Sequence, residues 1–171
     1  VVELKDPWTQ IGLVNSLNTV NVQGSVFFNA SGHIGLIQID PKNADIIYIA
    51  SGFASDGIMG PIADGGVYVT YNDGKTWMPR DFGLPYGPPS ALYMDPENSS
   101  ILLVAINNHG IYRTTDGGLW WYKVSNITEV NSFQESNGII FAGSSEGVIE
   151  SSDGGQSWKI IYHSQYFTGP I

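Results

Sequence analysis

The stretch Ser151-Ser152-Asp153-Gly154-Gly155-Gln156-Ser157-Trp158 decides how the chain is read. A hydroxyl, a carboxylate and two glycines in a row read as a tight turn, and the closing tryptophan as the start of a buried strand. Two further segments fall into register with it when the chain is laid on itself. They are Gly66-Val67-Tyr68-Val69-Thr70-Tyr71-Asn72-Asp73-Gly74-Lys75-Thr76-Trp77 and Gly110-Ile111-Tyr112-Arg113-Thr114-Thr115-Asp116-Gly117-Gly118-Leu119-Trp120-Trp121. Each carries a Gly, a β-prone run, a hydroxyl, Asp or Asn two residues on, Gly two after that, and a terminal Trp. Thr70, Thr114 and Ser151 stand 44 and 37 residues apart, a spacing that suits one four-stranded sheet unit per repeat.

A second marker lies upstream. Asp40-Pro41-Lys42-Asn43 precedes the apolar run Ile46 to Ala50, and Asp95-Pro96-Glu97-Asn98 precedes Ile101 to Ala105. Asp before Pro opens a type I turn, because Pro fixes φ at the next position. In the third unit the marker is degraded to Gln134-Glu135-Ser136-Asn137, ahead of Ile139 to Ala142. Each unit therefore reads as a four-stranded antiparallel meander.

These residues resemble the Asp-box (BNR) repeats, Ser/Thr-x-Asp-x-Gly-x-Thr/Ser-Trp, of β-propellers. The run from Gly32 to Trp77 is similar to the propellers of sortilin-like receptors and of xyloglucanase-type glycoside hydrolases. Asn72 departs from the pattern at the Asp position, and Trp120 at the hydroxyl position. The resemblance implies an all-β propeller segment with blades over about 32–82, 88–125 and 128–163. A leading strand over 7–14 would place Trp8 where Trp77, Trp121 and Trp158 stand. A closed propeller has four to eight blades, so the chain is expected to belong to a larger propeller or to be completed by further copies. The opening Val1-Val2-Glu3, without Met, suits a processed product, an excised piece or a segment of a longer chain.

Within each box the parts have structural work to do. The carboxylate of Asp116 or Asp153, or the amide of Asn72, accepts the turn's own N–H groups. Thr70, Thr76, Thr114, Ser151 and Ser157 supply hydroxyls, while Gly74, Gly118 and Gly155 supply positive φ. Trp77, Trp121 and Trp158 are expected to fill the space between blades. Trp120, beside Trp121, is expected to pack as well rather than to stack on a sugar.

Composition narrows the function classes. The net charge is −9 with only seven Lys and Arg, which argues against nucleic acid as a partner. The absence of Cys removes disulfides, thiolate nucleophiles and zinc knuckles. No apolar run reaches the length of a membrane span. His33, His109 and His163 stand apart in the repeat frame, so neither a metal nor a cofactor is expected. Three sequons, at Asn29, Asn98 and Asn126, point towards an extracellular or cell-surface protein.

Function on such a scaffold is expected where the repeat is broken. From Asp to the box hydroxyl takes 30 residues in the first unit (Asp40 to Thr70) and 19 in the second (Asp95 to Thr114). The excess is a glycine-rich insertion carrying Asp56 and Asp64, the candidate ligand loop. The resemblance to xyloglucanases places the catalytic Asp at positions comparable with Gly35 and Ser90, neither of which is acidic. A sialidase-like site would need three arginines, and the chain has only Arg80 and Arg113. The sequence therefore favours a non-catalytic module for protein or glycan recognition or for scaffolding, with a glycoside hydrolase fragment as the alternative.

Overall fold

The computed structural model describes residues 34–51 and 66–163, together with the antiparallel strand pair β1 (Asn21–Val22) and β2 (Ser25–Val26). The leading strand over 7–14, Asn29, and the insertion with Asp56 and Asp64 lie outside the described residues. Three antiparallel sheets follow, each built from four strands consecutive in sequence. The first holds β3 (Ile34–Ile39), β4 (Ile47–Ser51), β5 (Val67–Thr70) and β6 (Met78–Pro79). The second holds β7 (Pro89–Met94), β8 (Leu102–Ile106), β9 (Gly110–Thr114) and β10 (Tyr122–Ser125). The third holds β11 (Ser132–Ser136), β12 (Ile139–Ser144), β13 (Gly147–Ser151) and β14 (Lys159–His163). No helix occurs among the described residues.

Strand β8 explains why the sheets stack. Leu102-Leu103-Val104-Ala105-Ile106 is buried throughout, the unbroken apolar run of a strand covered on both faces. Leu102, Val104 and Ile106 pack with Tyr48, Ala50, Val67 and Val69 of the first sheet. Leu103 and Ala105, pointing the other way, pack with Phe133, Ile140, Ala142 and Ile149 of the third. Two cores thus lie between three sheets, and the second sheet serves both.

The first strands of the sheets, β3, β7 and β11, converge. Gln38 Nε2 on β3 donates to the Leu92 carbonyl on β7 at 3.0 Å. Ser90 Oγ on β7 donates to the Val130 carbonyl, just ahead of β11, at 2.6 Å.

The Asp-Pro turns share one hydrogen-bond plan. The Lys42 amide donates to Asp40 Oδ1 and the Glu97 amide to Asp95 Oδ1, both at 2.8 Å. The Asp45 and Ser100 amides donate to the side chains of Asn43 and Asn98, both at 3.1 Å. In the third sheet the connection shrinks to Asn137-Gly138, with φ of 53° and 78°, between the paired Ser136 and Ile139. Two left-handed residues make the tight hairpin turn that Asn-Gly favours. The degraded marker is a different turn, not a weakened copy of the same one.

Candidate functional site

The three box turns lie at the same end of the sheets as the Asp-Pro turns. The Asp73 amide reaches the Asp45 carbonyl at 3.1 Å, and the Gly117 amide the Ser100 carbonyl at 3.0 Å. Inside each turn the leading hydroxyl both donates and accepts. It donates to the next carboxylate or amide oxygen: Thr70 to Asn72 at 2.9 Å, Thr114 to Asp116 and Ser151 to Asp153 both at 2.7 Å. It also accepts the amide of Gly74, Gly118 or Gly155, at 3.0, 3.0 and 2.8 Å. The acidic or amide oxygen then accepts the N–H of Thr76, Trp120 or Ser157 at 2.9, 3.1 and 2.9 Å. All three turns close the same ring of donors.

This network sets the charge of the aspartates. Burial works to raise both carboxyls, and hydrogen bonding outweighs it. At Asp116 the Thr114 hydroxyl and the Trp120 and Leu119 amides hold the carboxyl below its ordinary value. At Asp153 the Ser157 hydroxyl and amide, the Ser151 hydroxyl and the Gln156 amide bring it down to about 2. Ser157 Oγ donates to Asp153 Oδ2 at 2.6 Å; Trp120 stands at the equivalent place in the second turn and has no hydroxyl to give. Asp40 is also lowered, chiefly by the Ser99 hydroxyl from the second sheet and then by the Lys42 amide.

The box turns also join the sheets. The Tyr48 phenol of the first sheet donates to the Gly117 carbonyl of the second at 3.1 Å. One interface on, Arg113 Nε donates to the Gly154 carbonyl of the third at 2.8 Å. Gly117 and Gly154 occupy the same place in their turns, so a phenol and a guanidinium do one job. Burial and then the hydrogen bond with Tyr71 push the Tyr48 pKa up, which keeps the phenol a neutral donor. Trp121 is 1% exposed, and its indole N–H meets the Arg80 carbonyl across the interface at 2.8 Å. Trp158 is half-buried, with its ring centroid 5.8 Å from that of Phe133. Trp77 is buried, but its indole N–H has no acceptor.

The opposite end carries the variable connections. The Ser51 amide donates to the Gly66 carbonyl at 3.1 Å, which closes the neck from which the 52–65 insertion leaves. Ile34 pairs with Ser51, and the ladder skips Gly35 before resuming at Leu36, so Gly35 is a bulge residue beside that neck. A Cβ on Gly35 would meet nothing within 4 Å. Ser90 is the matching bulge in β7, between Pro89 and Ala91, and its hydroxyl is taken up by the Val130 carbonyl. His109 closes the β8–β9 hairpin, its amide donating to Ile106 O at 2.9 Å. Asn98 and Asn126 are exposed. Among the described residues no three His, Cys, Asp or Glu side chains gather as a metal site. No helix among them is long and apolar enough to cross a membrane.

Sequence reasoning misplaced one residue. Trp120 does not pack between sheets: it is 48% exposed, and its ring centroid lies 6.4 Å from that of Tyr122, itself 63% exposed. With Trp121 turned inward, its two neighbours go outward. The signal was present in the sequence, as an indole standing where the other two turns have a hydroxyl.

No family model matches the chain. A curated relative, the xyloglucanase of Hypocrea jecorina (strain QM6a), is 29% identical over 149 residues, covering 76% of this chain. The matched region spans 18% of that relative's length. Among solved structures, the GH74 xyloglucanase from Xanthomonas campestris superposes with a TM-score of 0.60 at 20% identity, over 77% of this chain and 24% of that one. A GH74 enzyme of Niastella koreensis gives 0.58 at 23%, over 75% of this chain and 22% of that one. YCF48 bound to D1 peptide gives 0.55 at 15%, over 76% and 41%. The three sheets are β-propeller blades. At such identities the structural likeness extends to the fold alone.

Proposed function

We propose that these blades belong to a secreted, glycan-acting propeller of the xyloglucanase kind, in which the described residues supply scaffold and rim. The observation that carries this reading is the 29% identity over 149 residues with a xyloglucanase. The box turns are then Asp-box repeats, supported by one hydrogen-bond plan recurring in three turns. The exposed Asn98 and Asn126 sequons agree with a secreted protein.

Hydrolysis of a glycoside needs two carboxyl groups facing one bond, one of them with a raised pKa so that it can act as an acid. The aspartates with shifted values, Asp40, Asp116 and Asp153, are all held in the opposite direction. Gly35 and Ser90, at the positions the resemblance assigns to catalysis, have no carboxyl. In this reading the reacting carboxylates come from Asp56 or Asp64 on the insertion, or from further blades.

The outer face of blade 1 supports a continuation of the ring. Ile37 and Ile39 are 58% and 51% exposed there, an apolar edge rare on a finished domain. One more blade on that side, from the rest of a larger propeller or from another copy, supplies the cover.

The experiment is incubation of the chain with xyloglucan, reading new reducing ends and, separately, the native mass. Cleavage that is lost in Asp56→Asn or Asp64→Asn assigns the carboxylates to the insertion. Binding without cleavage assigns them elsewhere. Neither binding nor cleavage removes the glycan reading. The second reading, recognition of a protein segment, is favoured by the fold shared with YCF48, solved with a bound peptide; it takes over if a peptide array gives binding where glycans give none.

A further inference from the structure

We infer that the outer edge of blade 2 is a glycan-binding platform built on Trp120 and Tyr122, separate from the variable-loop end. Trp120 occupies a box position at which the Thr76 hydroxyl accepts from Asn72 Nδ2 and the Ser157 hydroxyl donates to Asp153 Oδ2. The indole gives the Asp116 carboxylate no such bond, and at 48% exposure it contributes little to a core. Neither the turn nor the packing uses this ring, so its size is left for a ligand.

Trp120 and Tyr122 hold their ring centroids 6.4 Å apart with a 53° angle between planes. The Phe82 carbonyl accepts the Trp121 backbone N–H at 2.9 Å, and the Phe82 side chain is 68% exposed. Leu119 is 57% exposed beside them. Trp120 and Tyr122 carry no charge, and Arg113, opposite Tyr122 on β9, gives its Nε–H to the Gly154 carbonyl.

Size and charge select the occupant. An aromatic side chain presents about 150–250 Å² in all, so two half-exposed rings offer on the order of 200 Å². That falls well short of the roughly 1,200 Å² a stable protein interface buries. It is enough for two or three sugar rings, whose C–H faces are drawn to the electron-rich face of an aromatic ring. A chain of net charge −9 does not recruit a polyanion. Two rings tilted by 53° cannot both lie on a flat crystalline surface; they follow a single twisted chain. The ligand is a neutral, soluble polysaccharide chain.

The test is the affinity of the full chain for xyloglucan and for cellohexaose, by calorimetry and by tryptophan emission, with maltohexaose and an acidic polysaccharide as comparators. Trp120→Thr restores the hydroxyl found in blade 1, so it keeps the turn and the thermal midpoint. It is expected to weaken neutral-glycan binding by about tenfold or more, a loss of one good ring contact. Tyr122→Ala weakens it further, while Trp120→Phe restores part of it. Binding that survives both Trp120→Thr and Tyr122→Ala with the fold intact overturns the platform and leaves the glycan-acting reading standing. Absence of neutral-glycan binding by the unaltered chain, or preference for the acidic polysaccharide, also overturns it. Loss of binding in these variants with any hydrolysis of a short soluble substrate unchanged separates the platform from the reacting site.

Discussion

The indole N–H of Trp121 donates to the Arg80 carbonyl at 2.8 Å, so a side chain of blade 2 completes the backbone of blade 1. Trp77 holds the same place in its own blade with its N–H unmet. The two phenylalanine substitutions should therefore differ. Trp121→Phe strands a carbonyl at a dry interface and is expected to cost about 1–3 kcal/mol beyond the lost area. Trp77→Phe removes a donor that has no partner and is expected to be milder by at least about 1 kcal/mol. Urea denaturation of both variants measures the difference, and equal losses would contradict the pairing.

Acid should act unevenly on the three turns. Asp153 has a folded-state pKa of about 2, below the ordinary 3.8, so its contribution is fully present above about pH 4 and is lost as pH falls through 2. Asp116 is lowered in the same sense. The amide of Asn72 does not titrate, and the blade 1 turn should keep its bonds in acid. Thermal midpoints followed downwards from pH 5 should drop in this window, and Asp153→Asn should flatten the drop.

Two glycines predict opposite outcomes. Gly110 sits at φ 97°, and a Cβ there would overlap the Ser125 carbonyl oxygen, so Gly110→Ala is expected to cost more than about 2 kcal/mol. Gly35 has open space in the direction of a Cβ, so Gly35→Ala should gain about 0.4–1 kcal/mol by restricting the unfolded chain. Asp73, at φ 57° where the other turns have Gly117 and Gly154, should respond to Asp73→Gly with a gain of up to about 1 kcal/mol. Differential scanning calorimetry of the three variants orders them.

Tyr48 and Arg113 reach equivalent carbonyls, those of Gly117 and Gly154, from successive blades. Tyr48→Phe and Arg113→Met should each cost about 1 kcal/mol, with the guanidinium at the upper end because its bond is charge-assisted. Raising salt should shrink the second loss and leave the first unchanged.

The blades were legible because their backbone demands are local. A hydroxyl, an acceptor two residues on and a glycine two after that can close one ring only, so Thr70-Asn72-Gly74 was readable without neighbours. The apolar runs after the Asp-Pro turns, Ile46 to Ala50 and Ile101 to Ala105, were readable as strands for the same reason. The polar links between the blades were not legible, because they depend on which side chain happens to reach a carbonyl in the next unit. Nothing in the local sequence makes Tyr48 and Arg113 equivalents. The exposure of Trp120 was misjudged for a related reason: alternation along a strand fixes opposite sides, and with Trp121 inward its neighbour had to face out. The Asn137-Gly138 turn, read as decay of the Asp-Pro marker, is a complete hairpin signal in its own right.

The unequal ends of the blades bear on how this scaffold changes over evolutionary time. At one end the Asp-Pro and box turns bond to each other, as Asp73 does to Asp45, so length there is constrained from two sides. At the other, the Ser51 amide bonds the Gly66 carbonyl at the base of the 52–65 insertion. Segments of different length or chemistry should be exchangeable above that bond without loss of the fold, which makes the Ser51–Gly66 junction the natural graft point for giving the molecule a new specificity.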